Sequence, residues 1–264
     1  MVKKLMLMED GQQNEKKKVL GLIPTRLNST RLPQKALLEI NSIPLIIHTY
    51  KRAKMSKTLD DVVICCDHKK IYQVAKKFKA KCILTSEHHS NGTERIYEAY
   101  KKLGKKYDLI VDIQGDEPLI SPDHIDKVAN KHLNEKYADI VLPTLSTKIK
   151  NNTNIVRVVS NIDNYVLYFS RSNIPFEFKK NVNFFNKHLS IISFTPLALK
   201  RFALHKQTPL ELIEDIELLR ALEIGLKIKT MKLKGDSFSV DVEEDYFKAK
   251  KKMTKDKFFK FYKA

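Results

Sequence analysis

The sequence predicts an α/β protein built on a mostly parallel sheet, and three observations predict it. Short β-branched runs alternate with amphipathic stretches of helical period through the first half of the chain. No apolar run approaches the length needed to span a bilayer. No repeat and no glycine-serine linker divides the 264 residues, which suffice for one large domain or for a domain with a sizeable insertion.

Taken in order, Val19–Thr25 reads as a strand and 44–54 as a helix. Asp61–Cys66 follows as a strand, 69–78 as a helix, Cys82–Leu84 as a short strand, 93–103 as a helix and Leu109–Ile113 as a strand. A helix over Pro122–Leu133 leads to a strand near 140–143, where the pattern changes. Residues 154–160, 165–169 and 187–194 read as strands with no helix between them, so a smaller β-rich lobe is expected at about 150–200. Pro209 then opens an amphipathic run ending near Gly225, with proline and glycine at the helix ends that favour them. A strand over 227–233 and a helix from about Glu243 complete a single domain expected over 19–264. Residues 1–18 read as a polar extension, because Glu9 and Asp10 end the apolar run behind Lys3 and Lys4 far too early for a signal sequence.

Hydrophobic residues at 42% exclude a disordered chain. The net charge of +18 raises nucleic acid as a partner, but 41 of the 49 basic residues are lysines scattered through the predicted helices. Only 8 are arginines, the residue suited to bidentate phosphate contacts, so a lysine-rich solvated surface is expected and no specific nucleic acid. Cys65, Cys66 and Cys82 lack metal-ligand spacing and are expected as buried thiols in a reducing, cytoplasmic setting, with no membrane insertion.

Three segments carry chemistry. The stretch Pro24-Thr-Arg-Leu-Asn-Ser-Thr-Arg-Leu-Pro-Gln-Lys35 follows the first strand, where ligands of open α/β sheets collect. Arg26, Arg31 and Lys35 place three positive charges in it, and Ser29 and Thr30 add hydroxyl donors for phosphate oxygens. It lacks the glycines of a Walker loop, so a triphosphate cradle of another kind or a plain basic surface loop fits it. Gln114-Gly-Asp-Glu-Pro118 ends the strand Leu109–Ile113, and its carboxylates, Asp116 foremost, suit either Mg²⁺ or an ordinary turn. Asp241 precedes the last helix, where it fits an N-cap as well as a second metal carboxylate.

Together these segments resemble the 3-deoxy-manno-octulosonate (KDO) cytidylyltransferases. Ser29-Thr-Arg-Leu-Pro-Gln-Lys35 is similar to that family's phosphate loop, Asn91-Gly-Thr-Glu-Arg95 to its Ser-Gly-Thr-Glu-Arg motif, and Gln114-Gly-Asp-Glu-Pro118 to its metal-binding turn. Tyr168-Phe-Ser-Arg171, Ile174-Pro175, Pro209-Leu-Glu211, Ile213-Glu214 and Leu219-Arg220 keep its order and spacing, so the likeness runs from about residue 19 to 247. The resemblance implies a Rossmann-like nucleotidyltransferase fold, with the β-rich lobe binding sugar and forming a homodimer. It implies that Arg26, Ser29, Arg31 and Lys35 hold the triphosphate of CTP, and that Gly92 and Gln114 meet cytosine and ribose. Asp116 and Asp241 match the family's Mg²⁺ ligands, while His188, Glu217 and Arg171 fall in sugar-side segments. The implied reaction is attack of the anomeric hydroxyl of an acidic sugar on the α-phosphorus of CTP, with pyrophosphate leaving. It relies on positioning and charge neutralisation rather than on a covalent enzyme intermediate.

The chain also departs from the family. Gln34 replaces a glycine of the phosphate loop, which strains the loop if that position needs a positive φ. Ile192 and Phe194 stand where the family commonly has tyrosines, and Leu218 where it has glutamine, so three polar groups are missing on the sugar side. KDO is the leading acceptor; an 8-amino analogue or another nonulosonic-type acid is the related alternative. A non-catalytic basic protein that binds nucleic acid is the reading from a different class. The enzyme reading requires Asp116 and Asp241 to converge beside the basic loop.

Overall fold

Strand β1 (Val19–Thr25) is buried on both faces, as a continuous apolar run in a doubly covered sheet must be. In the computed structural model, which describes residues 16–235 and 239–263, it lies inside a ten-stranded sheet. The polar extension expected over 1–18 falls outside the described residues up to position 15.

After β1 come a 3₁₀ turn (Lys35–Leu37), a hairpin of β2 (Glu39–Ile40) and β3 (Ile43–Pro44), and helix α1 (Leu45–Ala53). The alternation continues with β4 (Asp61–Cys66), α2 (Lys69–Lys77), β5 (Cys82–Leu84), α3 (Gly92–Leu103), β6 (Leu109–Ile113) and α4 (Pro122–Leu133). Then follow β7 (Ile140–Thr147), β8 (Arg157–Ser160), β9 (Val166–Ser170), β10 (Phe185–His188) and β11 (Ile191–Phe194). The chain closes with α5 (Pro196–Leu204), α6 (Pro209–Glu214), α7 (Glu217–Glu223), β12 (Ile228–Lys232), α8 (Glu243–Met253) and a 3₁₀ turn (Phe259–Phe261).

The sheet order is β5-β4-β1-β6-β11-β7-β10-β8-β9, with β12 parallel to β7 on its other edge. Pairing is parallel from β5 through β6 and antiparallel from β6-β11 onward. The strands of 150–200 do not make a sheet of their own: β10, β8 and β9 extend the central sheet to its edge, and β11 is inserted between β6 and β7. Apolar side chains of α1, α2 and α4 pack one face of the sheet, and those of α3, α5 and α7 the other. A third, small cluster joins Leu32, Ile40 and Leu45 to Val240, Ala249 and Met253, and so clamps α8 against the basic loop.

Three expectations change. The strand expected over 187–194 is two strands separated at Leu189-Ser190, which lets β10 pair with β7 and β8 while β11 pairs with β6. The helix expected over 209–225 breaks at Asp215, whose backbone is left-handed with φ of 52°. Helix α5 was not expected at all, although Thr195-Pro196 carries a helix-start signal; the Thr195 hydroxyl accepts from the Ala198 N–H at 3.2 Å. Cys65 and Cys66 are buried and Cys82 half-buried; all three are free, with the Cys66 and Cys82 sulfurs 3.3 Å apart.

Candidate active site

A cleft of about 610 Å³ opens beyond the carboxyl ends of β1 and β6, where the fold class puts its ligands. Arg26, Ser29, Thr30, Arg31 and Lys35 line one side, Gly92 and Gln114 another, and Asp116, Arg171 and Asp241 complete it. Nine of the eleven residues to which the family resemblance gives a role therefore share one cavity.

The two aspartates meet at Lys35. Its ammonium lies 2.8 Å from Asp116 Oδ2 and 3.1 Å from Asp241 Oδ1, and Arg31 Nη2 approaches the same Asp241 oxygen at 3.0 Å. Burial alone would lower the Lys35 pKa, but Asp116 and then Asp241 outweigh it and hold the group above its ordinary value. Burial acts oppositely on Asp241, and Lys35 and Arg31 prevail there too, keeping its carboxyl below the usual range.

Local folding produces this meeting. Gly115 must be a glycine, because a Cβ there would come within 2.6 Å of the Pro24 carbonyl oxygen. That close approach lays the turn after β6 against the end of β1. The Val240 N–H then donates to the Asp116 carbonyl at 2.9 Å, tying the distant Asp241 segment to the turn. Asp241 is not the helix N-cap: Val242 occupies that position, and Asp245 accepts from the N–H groups of Asp241 and Val242. The Asp241 carboxylate is thereby left for Lys35 and Arg31. Gln34 does take the left-handed conformation, with φ of 51° and ψ of 30°, so the position that is glycine in the resembling family carries strain of about 1 kcal/mol here.

The Asn91–Arg95 motif builds the neighbouring wall. Asn91 caps α3 by accepting from the Glu94 N–H at 2.9 Å, and Arg220 donates to Glu94 at 2.9 Å while pairing with Glu211 at 2.6 Å. A Cβ on Gly92 would stand 3.2 Å from Pro24 Cγ and 3.5 Å from Gln114 Nε2, so this turn also sits tight against β1. Arg95, buried at the cleft wall, spends Nη1 on Thr85 Oγ1 and the Ser86 carbonyl.

The sugar-side candidates divide. Arg171 lines the cleft, but its guanidinium is largely engaged with the carbonyls of Glu214, Asp215 and Thr153. His188 and Glu217 stand outside the cleft wall. His188 Nδ1 is buried with no hydrogen-bond partner among the described residues, and burial pushes the ring's pKa down to about 4. Glu217 is pushed up to about 7, chiefly by burial, against the opposing influence of Thr93 in the first turn of α3. Ile192, Phe194 and Leu218 are buried in the apolar core beneath the sheet. Asn154 and Asp215 also line the cleft, and sequence reasoning gave no sign of them; both sit in turns whose position only the topology sets. Arg95 and Asn91 were visible in the motif that contains them.

Among the described residues no group of three or more His, Cys, Asp or Glu is arranged around a metal position. Two carboxylates converging on one cation do fit Mg²⁺, which takes few protein oxygens and completes its shell with water and phosphate. No helix among the described residues is long and apolar enough to cross a membrane.

Comparison with known proteins agrees with this geometry. The cytidylyltransferase family model matches residues 20–228. The 3-deoxy-manno-octulosonate cytidylyltransferase of Thermodesulfovibrio yellowstonii is 41% identical over 248 residues, covering 87% of this chain and 96% of that protein. A mitochondrial protein of the same name from Arabidopsis thaliana is 40% identical over 86% of this chain and 80% of its own. Among solved structures, CMP:2-keto-3-deoxy-manno-octonic acid synthetase complexed with CTP superposes with a TM-score of 0.84 at 28% identity, over 90% of this chain and 99% of that one. A likeness that holds in sequence and fold over nearly the whole of each relative makes this chain a member of the 3-deoxy-manno-octulosonate cytidylyltransferase family.

Proposed function

We propose that the protein transfers CMP from CTP to the anomeric hydroxyl of 3-deoxy-manno-octulosonate, releasing pyrophosphate, with Mg²⁺ as cofactor. The observation that carries this reading is the meeting of Asp116 and Asp241 at Lys35 inside a cleft that Arg26 and Arg31 also line. The names of the relatives supply the acceptor, and the CTP complex of the solved relative supplies the donor.

In this reading Arg26, Ser29 and Arg31 bind the triphosphate and turn its α-phosphorus towards the acceptor. Asp116 and Asp241 would hold Mg²⁺, which when bound supplies charge neutralisation for the phosphate oxygens and acidifies the attacking hydroxyl. Lys35 then trades its carboxylates for phosphate oxygens, a move open to a side chain that already bridges both. The anomeric hydroxyl gives up its proton to solvent and its oxygen bonds to the α-phosphorus as the bond to the pyrophosphate oxygen breaks, and Arg31 and Lys35 stabilise the charge that gathers on the leaving group. Gly92 and Gln114 border the cytidine, and Arg171 offers its one remaining N–H, on Nη1, to the acceptor's carboxylate. Glu217 stands behind this wall, against Thr93.

The test is pyrophosphate release from CTP against a panel of 2-keto sugar acids, with and without Mg²⁺. The panel includes amino-substituted and nine-carbon acids so that the related acceptors are compared directly with 3-deoxy-manno-octulosonate. Asp116→Ala is expected to lower turnover at least about a hundredfold while the thermal midpoint stays near that of the parent, since it removes a cation ligand rather than core packing. Near-normal turnover in that variant would place the cation elsewhere.

A cytoplasmic homodimer belongs to the same reading. Ile149, Phe176, Phe178 and Phe184 leave apolar surface exposed on the β8–β10 side of the sheet, which suits burial against a second copy. Sedimentation equilibrium should return twice the chain mass, and a monomer at micromolar concentration would count against it.

A further inference from the structure

Directly behind Gln114 stands Asp112, the one carboxyl on β6. Its side chain is fully buried, flanked in register by Leu22 and Ile192, and has no ion-pair partner among the described residues. Oδ2 accepts from Gln114 Nε2 at 3.0 Å, and Oδ1 is buried with no partner among the described residues. A buried acid in apolar company is costly, so one that persists calls for a role.

The geometry of a carboxamide supplies that role. Its nitrogen and oxygen lie on opposite sides of one trigonal carbon, so fixing one fixes the other. With Nε2 turned inward to Asp112, the Gln114 oxygen is the end left for the cleft, and no donor among the described residues occupies it. Gly92 lies beside the same amide, and even a Cβ there would stand 3.5 Å from Nε2, at ordinary van der Waals contact. We propose that Asp112 is a positioning residue that locks Gln114 with its carbonyl oxygen facing the cleft, making it an acceptor for a hydroxyl or amino donor of the bound substrate. This rests on the CMP-transfer reading, and neither the motif resemblance nor the relatives' names assign any task to Asp112.

Burial, and after it the charge of Glu217, holds the Asp112 carboxyl well above the usual range. Asparagine keeps both the shape and an oxygen that accepts from Gln114 Nε2, and leucine keeps the shape alone. The substitutions can therefore separate holding the amide from merely filling space.

The test is a double-mutant cycle on kcat/KM for CTP. Asp112→Leu is expected to lower kcat/KM about tenfold, the worth of one oriented hydrogen bond, and Asp112→Asn to recover most of that loss. In a Gln114→Ala background Asp112→Leu should change kcat/KM less than about twofold, because the amide it orients is gone. Equal losses from Asp112→Leu in both backgrounds, or equal losses from Leu and Asn, overturn the proposal. Should Asp112→Leu fail to fold, Asp112→Thr, too short to reach the amide, takes its place in the same cycle. Absence of any turnover by the unaltered chain overturns the transferase reading and this proposal with it, whereas turnover with an additive cycle overturns this proposal alone.

Discussion

Glu217 opens α7 beside the first turn of α3, and burial raises its carboxyl to about 7 from an unfolded value of 4.5. A carboxyl with a raised folded pKa binds its proton more tightly in the native chain than in the unfolded one. The stability it contributes is therefore complete below pH 4.5 and is lost as the pH rises through about 7. Glu217→Gln cannot ionise and keeps the shape, so its thermal midpoint should fall less than the parent's between about pH 5 and about pH 8. A variant as steep as the parent would assign that slope to another group. His188 works in the opposite sense, its depressed ring costing stability as the pH falls from 6.5 towards about 4, which is why variant and parent must be compared at each pH. At this scale the sequence was a fair guide to residue type and a poor one to orientation. Asp241 read equally well as a cap or as a ligand, and only the capture of its neighbouring N–H groups by Asp245 decides which way its carboxylate turns. The strain at Gln34 was foreseen because a missing glycine is visible in a motif, whereas the burial of Ile192 and Leu218 depends on strands that approach from elsewhere in the chain.

Elements whose period declares them were legible to within a residue or two: β1, β4, β5, β6 and α4 stand where alternation and proline placed them. The break between α6 and α7 was not, because the left-handed turn at Asp215 is held by tertiary contacts. Glu214 receives the Ser170 hydroxyl at 2.7 Å and the Arg171 N–H at 3.0 Å, bonds that exist only once β9 is in place. The last turn of the chain was equally hidden. Arg52 of α1 is fully buried, donates to the Tyr262 hydroxyl and the Ile120 carbonyl at 3.1 Å each, and pairs with Asp256. Asp256 also caps the final 3₁₀ turn by accepting from the Phe258 and Phe259 N–H groups. Removing one partner of a buried pair strands the other charge, so Asp256→Ala should cost about 3 kcal/mol in urea unfolding. Asp256→Asn keeps the caps and should cost less. A loss below about 1 kcal/mol for the alanine variant would mean that water reaches Arg52 and satisfies it. Because Met253 of α8 and Val240 ahead of that helix share a cluster with Leu32 of the basic loop, the same variant is expected to weaken CTP binding.

The whole molecule brings together what the chain keeps far apart. Lys35, Asp116 and Asp241 are joined by a topology that runs β6 beside β1 and returns the segment after β12 to the same edge, and no local pattern announces that closure. Global charge behaves differently, because it is legible at once and its consequence is physical rather than topological. Arg52, Arg95, Arg157 and Arg220 are buried, so the net charge of +18 is presented to solvent mainly by lysines. Like charges spread over one surface repel and weaken the compact state, and salt screens that repulsion over about 8 Å at physiological ionic strength. Raising sodium chloride from about 20 to about 200 mM should therefore raise the thermal midpoint. The same field draws an anionic nucleotide towards a cleft lined by Arg26, Arg31 and Lys35, so the association rate of CTP should fall over that salt range. Stopped-flow binding and thermal unfolding measured in the same buffers separate the two effects. If salt instead lowers the midpoint, attraction within pairs such as Lys16–Asp60 and Lys229–Glu135 outweighs the surplus of lysines, and the excess charge is not what limits the stability of this fold.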